Sequence, residues 1–288
     1  MEADIAVDAA LVRRLILEQH PDLDGPLSQV AMGWDNAIYR LGADLAVRLP
    51  RRRVAAELVY REQHWLPRLA VALPVPVPVP VRVGVPSGGF PFPWSITPWL
   101  TGTVVAASPV APRAAFAAQL AGFLAALHVP APAAAPANPV RGVPLSTRAE
   151  AMAERFATGR VPAGLRGLWD ELVAVPFWAG PPLWVHGDPH PGNLLTGPDG
   201  RLAAVLDFGD LTSGDPATDL AAAWLVFDAP ARAVFRAALG CGPGRDEATW
   251  QRARGWALNI GAALAADATG TPEMAAVAEH TLREVRLG

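Results

Sequence analysis

The chain of 288 residues contains no lysine, one cysteine and only two tyrosines. Because all 24 basic residues are arginines, any positively charged side chain that grips a phosphate must be an arginine. The lone Cys241 excludes an internal disulfide, and its place between two glycines gives it no catalytic context. No uninterrupted apolar run approaches the roughly 20 residues of a membrane span, although 51% of the residues are hydrophobic.

Charge is also sparse. Charged residues make up 18% of the chain and the net charge is −3, which indicates a globular protein and argues against a nucleic-acid partner. The acidic start at residues 1–4 lacks the pattern of a secretory signal. We therefore expect a cytoplasmic protein without a membrane or nucleic-acid partner. The sequence leaves its oligomeric state open.

The most informative segment that is present reads H-G-D-P-H-P-G-N at residues 186–193, followed by L-D-F at residues 206–208. It places Asn193 five residues after Asp188, and Asp207 nineteen residues after Asp188. Apolar runs on both sides of the turn sequence G-P-D-G predict a β-hairpin between the two blocks. Such a hairpin returns Asp207 to the neighbourhood of Asp188 and Asn193.

Three oxygen-bearing side chains that converge in this way meet the needs of phosphoryl transfer. One carboxylate can orient a hydroxyl group and accept its proton, while an amide and a second carboxylate can hold Mg²⁺ against phosphates. We therefore expect Asp188 to be the catalytic base, and Asn193 and Asp207 to be the metal ligands.

Local patterns predict the elements around this segment. Strands are expected between residues 29 and 49, with a turn at Gly42, and over residues 94–100. The sequence T-R-A-E at residues 147–150 resembles a capping box. Helices are predicted after Asp8 and over residues 53–69, 113–128, 219–227, 230–239, 246–267 and 272–287. The first third is thus strand-rich and the remainder helical.

The motif blocks, together with G-D-P-A-T-D-L-A at residues 214–221, resemble the aminoglycoside phosphotransferase family of small-molecule kinases. The resemblance implies an α+β, bilobal protein-kinase-like fold. It implies a nucleotide-binding lobe over residues 1–101 and a helical lobe, with the catalytic loop and acceptor site, over residues 102–288. It also implies that His186 is a structural residue of the catalytic loop and that Asp219 supports the backbone of that loop.

The resemblance further implies nucleotide contacts in the first lobe. Arg48 stands where the family carries a phosphate-binding lysine, and its permanent charge can bind phosphate through two N–H groups. Glu62 is its expected ion-pair partner on the following helix, with Glu57 as the second choice. Asn36, in the short loop of residues 33–36, is expected near the phosphates; an ordinary hairpin turn is the alternative.

Residues 97–100 match the linker between the two lobes, whose backbone reads the adenine edge in kinases. Since Pro98 has no N–H, the donor is expected from Trp99 or Leu100. Asp210 follows the D-F-G triplet. It could help a second metal ion, contact the substrate or cap a turn.

The resemblance implies a Mg²⁺-dependent kinase that transfers the γ-phosphate of ATP or GTP to a hydroxyl of an antibiotic. An acidic excess over residues 146–288 favours a polycationic acceptor. An aminoglycoside is thus the first choice, and a macrolide or a capreomycin-type peptide is next. A metabolic kinase of choline, homoserine, a sugar or a ketosamine is the alternative. A nucleotide-binding pseudokinase is a third interpretation, which the intact motif opposes.

Overall fold

A computed structural model describes residues 3–33, 35–267 and 270–288. The described residues do not include Trp34 of the expected phosphate loop, or Met1 and Glu2 of the acidic start. The chain divides into two compact units. The first comprises Met1–Ala72, Pro76–Thr101 and Asp207–Gly209, and the second comprises Leu73–Val75, Gly102–Leu206 and Asp210–Gly288.

The first unit contains an antiparallel five-stranded sheet in the order β1-β2-β3-β5-β4. Its strands are β1 (Leu27–Met32), β2 (Asn36–Leu41), β3 (Leu45–Pro50), β4 (Arg82–Gly84) and β5 (Trp94–Pro98). Gly42 adopts a φ of 62° in the turn between β2 and β3, as the predicted turn requires. Its two α-helices are α1 (Ala9–Gln19) and α2 (Arg53–Leu69).

The core of this unit forms where the apolar side of α1 meets the sheet. Asp8 caps α1 as predicted, because its Oδ1 accepts the N–H of Leu11 at 2.7 Å. Buried side chains of helix and sheet form one hydrophobic cluster, which includes Leu15, Tyr39 and Trp94. Each fully buried side chain of this size stabilises the fold by roughly 1.5–3 kcal/mol.

The second unit is mainly helical. Its helices are α3 (Ala117–Leu127), α4 (Ala149–Ala157), α5 (Arg166–Val173), α6 (Ala217–Leu220), α7 (Ala222–Leu225), α8 (Ala229–Leu239), α9 (Glu247–Ala266) and α10 (Pro272–Leu287). Its strands are β6 (Thr103–Val104), β7 (Leu183–Val185), β8 (Leu194–Thr196), β9 (Leu202–Val205) and β10 (Thr212–Gly214). Strands β6, β8 and β9 form one small sheet, and β7 pairs with β10. The largely buried α9 packs against α4, α5, α6 and α10.

Three predictions about local structure in this unit are wrong in part. The helix predicted from Arg113 begins as a 3-10 helix, Ala111–Phe116, because the buried guanidinium of Arg113 turns back to the carbonyl of Ser108. The capping box is absent, since the hydroxyl of Thr147 donates to the carbonyl of Pro144 at 2.8 Å. The helix predicted over residues 219–227 is divided into α6 and α7.

The division into units also differs from a single boundary after residue 101. Asp207–Gly209 belongs to the first unit although the surrounding chain belongs to the second. The reason is local, because the N–H of Phe208 donates to Glu62 Oε1 at 2.9 Å. No helix over the described ranges is both long and apolar enough to span a membrane.

Candidate active site

The predicted hairpin is present and carries the second half of the motif. Strand β8 pairs with β9 in antiparallel register, and Gly200, with a φ of 75°, lies in the turn between them. At the open end of the hairpin, the N–H of Leu206 donates to the carbonyl of Asn193 at 2.8 Å. The chain is therefore bonded to the catalytic loop one residue before Asp207.

Asp219 anchors the backbone of the catalytic loop. Its fully buried carboxylate accepts the N–H groups of His186 and Gly187, both at 2.8 Å. It also lies 3.0 Å from Nε2 of His128. The family resemblance predicts a supporting role of this kind for Asp219. A buried carboxylate with several donors fixes the loop because each donor would otherwise be left without a partner.

His186 is buried and ties the catalytic loop to the hairpin. Its Nδ1 accepts the N–H of Asp188 at 3.1 Å, so Nε2 carries the hydrogen and donates to the carbonyl of Leu206 at 3.0 Å. Both ring nitrogens are thus occupied by structural contacts. These contacts support the structural role predicted for His186.

Backbone geometry explains why position 187 is a glycine. Its φ is 94°, in the region that side chains disfavour, and a Cβ there would lie 2.6 Å from the carbonyl oxygen of Asp210. The close approach of two backbone segments therefore requires glycine at this position.

Asp188 lies between two nitrogen donors of the helical unit. Arg141 Nη2 is 3.3 Å from Oδ1, and His190 Nε2 is 3.3 Å from Oδ2. His190 Nδ1 accepts the N–H of Gly192 at 2.9 Å, which leaves the hydrogen on Nε2 facing Asp188. Burial alone would raise the pKa of Asp188, but His190 and then Arg141 outweigh it and hold the pKa well below its usual range.

Sequence reasoning missed Arg141 as a neighbour of Asp188 and gave His190 no task. Arg141 precedes Asp188 by 47 residues, in an irregular segment without a recognisable motif. No local sequence pattern predicts this contact. The side chain of Asp210 also belongs to this group, because it accepts Asn138 Nδ2 at 2.9 Å and lies 3.5 Å from Arg141 Nε.

In the β-rich unit, Arg48 pairs with Glu62 and not with Glu57. Arg48 Nη1 lies 2.7 Å from Oε1 and 2.9 Å from Oε2 of Glu62, and its Nη2 donates to Asp207 Oδ1 at 3.0 Å. Burial alone would lower the pKa of Arg48, but the charges of Asp207 and Glu62 raise it. Arg48 is therefore a permanent cation held within a pair of carboxylates.

Asp207 adopts a strained backbone conformation. Its φ is 58°, which is uncommon for a residue other than glycine and is typical of functional turns. The next two residues hold the turn, because Phe208 is fully buried and the N–H of Gly209 donates to Asp207 Oδ1 at 3.2 Å. The carboxylate itself stays about half exposed, with 49% of the side-chain surface accessible.

The loop before β2 is fixed by two arginines. Arg51 Nη1 donates to the carbonyl of Gly33 at 2.7 Å, and Arg52 Nη1 lies 2.9 Å from Asp35 Oδ1. Asn36 begins β2, and its side-chain oxygen is buried without a hydrogen-bond partner.

One of the two expected adenine donors is already used. The N–H of Trp99 donates to the carbonyl of Asp44 at 2.7 Å, which favours Leu100 over Trp99 as the donor to a base. The Trp99 ring packs under the guanidinium of Arg40 at 4.8 Å. Pro98 can offer only its carbonyl, and Leu100 remains as the candidate donor.

A comparison with protein families identifies the chain. The model of the phosphotransferase enzyme family matches residues 26–256. The chain belongs to the phosphotransferase enzyme family. This match confirms the family that the motifs resemble. A sequence search of curated proteins gives no match to this phosphotransferase.

Solved structures show the same fold. A GDP and kanamycin complex of APH(2")-IIia is 21% identical, covers 96% of this chain and 98% of its own, and has a TM-score of 0.66. The GDP complex of wild-type aminoglycoside 2'-phosphotransferase-IIIa is 19% identical, with coverages of 98% and 99% and a TM-score of 0.70. The macrolide 2'-phosphotransferase MphH from Brachybacterium faecium is 22% identical, with coverages of 96% and 98% and a TM-score of 0.59. The predicted α+β fold class is confirmed.

Each of the two residues expected to hold magnesium presents an oxygen atom within its own unit. Asn193 Nδ2 donates to the carbonyl of Asp188 at 2.9 Å, which leaves the amide oxygen as the ligand atom. In the first unit, Asp207 presents a half-exposed carboxylate, and Mg²⁺ prefers such hard oxygen donors. Within the described parts of the chain, no three His, Cys, Asp or Glu side chains form a metal-binding group. A Mg²⁺ site with few protein ligands completes its shell with phosphates and water.

Proposed function

We propose that this phosphotransferase transfers the γ-phosphate of ATP or GTP to a hydroxyl group of an antibiotic. The observation that carries the proposal is the fixed position of Asp188 in a loop whose backbone is bonded to buried Asp219. The similar structures support the acceptor class, since one holds GDP and kanamycin and another is a macrolide phosphotransferase. An aminoglycoside is our first choice, and a macrolide or a capreomycin-type peptide is next.

Asp188 orients the acceptor hydroxyl for in-line attack on the γ-phosphorus. The new P–O bond forms as the bond to the β–γ bridging oxygen breaks, and the hydroxyl proton passes to Asp188. Because the pKa of Asp188 is lowered, it takes this proton late, when bond formation has made the hydroxyl acidic. Orientation is therefore its main contribution to the rate.

Residues of the first unit bind the nucleotide in this proposal. Arg48, held by Glu62, contacts the α- and β-phosphates, and Asn36 lies near the phosphates. Leu100 supplies the N–H that binds the base, and the carbonyl of Pro98 accepts a hydrogen bond from the base. Asn193 and Asp207 would hold a Mg²⁺ ion, which would supply positive charge to the phosphates. Residues 1–101 thus serve mainly the nucleotide, and residues 102–288 the acceptor.

We propose a cytoplasmic location for this activity, because ATP and GTP are abundant there. A pseudokinase without catalytic activity is disfavoured because Asp188, Asn193 and Asp207 are all intact. Asp210, beside Arg141, is assigned to the acceptor side rather than to a second metal ion.

An acceptor screen tests the proposal. The purified protein is incubated with ATP or GTP, Mg²⁺ and single acceptors, and the mass increase of one phosphate is measured. We expect phosphorylation of at least one antibiotic, and loss of turnover in Asp188→Asn with nucleotide binding retained. If only choline, homoserine, a sugar or a ketosamine is phosphorylated, the protein is a metabolic kinase and the antibiotic is not its acceptor. Full turnover in Asp188→Asn would remove Asp188 as the base.

A further inference from the structure

Hydrogen bonds fix the backbone beside Arg141, whose side chain contacts the catalytic loop. Its neighbour Gly142 donates its N–H to Thr218 Oγ1 at 3.1 Å, and the Gly142 carbonyl accepts the N–H of Asp215 at 2.9 Å. The carbonyl of Pro136, a few residues earlier, accepts the Thr212 hydroxyl at 2.9 Å. The segment that carries Arg141 is therefore bonded to the chain that follows Asp210.

The guanidinium of Arg141 bridges two carboxylates. Its Nη2 lies 3.3 Å from Asp188 Oδ1, and its Nε lies 3.5 Å from Asp210 Oδ2. The Nε atom is buried and forms no hydrogen bond. Without Arg141, the two acidic groups would form a site that attracts an ammonium ion. With Arg141, that place already holds a positive charge.

The reacting hydroxyl must lie close to this charge. A base holds the hydroxyl oxygen at about 2.6–3.2 Å from its carboxylate. Substituents on the carbon next to the hydroxyl then approach the guanidinium that touches the same carboxylate. An ammonium there would meet a like charge, whereas a hydroxyl, ether or carbonyl oxygen could accept a hydrogen bond from the guanidinium.

The charge of Arg141 also acts on Arg155, another arginine of the helical unit. Burial first, and then the charges of Arg148 and Arg141, lower the pKa of Arg155, while Glu154 acts in the opposite direction. The acidic excess of residues 146–288 does not describe the immediate surroundings of Asp188, because Arg141 lies outside that range.

We propose that Arg141 is a specificity-determining residue, which selects a hydroxyl flanked by oxygen groups and disfavours one flanked by an ammonium. This inference rests on the proposed role of Asp188 in orienting the acceptor. For an aminoglycoside acceptor, it directs transfer to a hydroxyl whose neighbouring carbons carry oxygen rather than nitrogen.

Acceptor binding tests the inference without requiring turnover. The probes are kanamycin and its fully N-acetylated derivative, which keeps the hydroxyls and lacks the ammonium groups. Their dissociation constants are measured by calorimetry for the wild type, Arg141→Gln and Arg141→Lys. We expect Arg141→Gln to bind kanamycin at least tenfold more tightly than the wild type does, with less than a twofold change for the acetylated form. Arg141→Lys should behave as the wild type.

A matched control separates this local effect from a change in net charge. Arg201, exposed in the β8–β9 turn, loses the same charge in Arg201→Gln and should change kanamycin binding less than twofold. A gain below twofold in Arg141→Gln, an equal gain in Arg201→Gln, or no measurable binding by any variant would overturn the inference. The proposed function fails separately, if the wild type phosphorylates no acceptor while the binding pattern holds.

Discussion

Arg48 donates from one nitrogen to both carboxylate oxygens of Glu62, at 2.7 and 2.9 Å. Its other terminal nitrogen reaches Asp207 at 3.0 Å, so one planar group joins strand β3, helix α2 and the D-F-G turn. A lysine ammonium is a single point charge and would not reproduce this forked geometry. In a chain without lysine, the cation that we propose for phosphate binding thus also ties together three elements of its own unit.

We predict that Arg48→Gln weakens nucleotide binding by roughly 10- to 100-fold, because a charge-assisted hydrogen bond contributes about 1.5–3 kcal/mol. The nucleotide affinity of Arg48→Lys should lie between those of Arg48→Gln and the wild type, because lysine keeps the charge but lacks the two terminal nitrogens of the guanidinium. Calorimetric titration with ADP and Mg²⁺ measures the three affinities. Equal affinities for all three proteins would exclude Arg48 from the nucleotide site.

The partner of Arg48 offers a matched comparison on one helix. Glu62→Gln should weaken nucleotide binding because Arg48 and the N–H of Phe208 both lose a charged acceptor. Glu57→Gln removes the same charge from an exposed position of α2 and should have little effect. Similar losses in the two variants would contradict the assignment of Glu62.

Much of the fold was predictable because it is encoded locally. The D-x-x-x-x-N spacing, the turn residues of the hairpin and the alternation of strands act over short distances, and the structure contains the hairpin between Asn193 and Asp207. The N-cap of α1 at Asp8 was predictable for the same reason. The 3-10 start before α3 was not, because Arg113, which donates to the carbonyl of Ser108, is also held by the distant carbonyl of Val226.

The surroundings of the candidate base were less accessible from sequence. His190 lies within the motif, but its contact with Asp188 depends on a ring orientation that the N–H of Gly192 fixes. Arg141 comes from an irregular segment far along the chain. The use of the Trp99 N–H by the carbonyl of Asp44 also depends on tertiary pairing. Short motifs and hydrophobic periodicity do not predict contacts between side chains that are far apart in the sequence.

Gly187 provides a test of the catalytic-loop geometry. Gly187→Ala should destabilise the protein by about 1–3 kcal/mol, because its backbone region and the nearby carbonyl of Asp210 both resist a Cβ atom. Gly122→Ala is the control, since this exposed position within α3 has open space and should gain about 0.5–1 kcal/mol. Urea denaturation measures both. An unchanged unfolding midpoint in Gly187→Ala would show that the loop can adopt another conformation.

Asp219 is expected to matter for stability more than an ordinary capping carboxylate. Asp219→Ala leaves the N–H groups of His186 and Gly187 without their acceptor. Each unpaired buried donor should lower the free energy of unfolding by about 1–3 kcal/mol. Asp228 caps α8 through the N–H of Ala231, and Asp228→Ala should cost only about 1 kcal/mol. Denaturant titrations of the two variants compare the losses. A smaller loss for Asp219→Ala than for Asp228→Ala would refute the anchoring role.

His280 is a buried histidine whose contacts require the neutral ring. Its Nδ1 faces Arg283 Nη2 at 3.1 Å and therefore accepts, while Nε2 lies 3.2 Å from the carbonyl of Phe227 and donates. Burial is the main reason that the pKa of His280 is lowered, and the charges of Arg113 and Arg283 add to this effect. The charge of Glu284 opposes it.

This lowered pKa predicts a pH dependence of stability. As the pH falls through about 6.5, the unfolded chain binds a proton at this histidine before the folded protein does, so the free energy of unfolding decreases. One such proton contributes a slope of at most about 1.4 kcal/mol per pH unit. His280→Gln should therefore flatten the dependence of stability on pH between about 5 and 7, measured by urea denaturation. His64→Gln, at an exposed position of α2, is the matched control. If His280→Gln keeps the full wild-type slope, other groups carry the pH dependence.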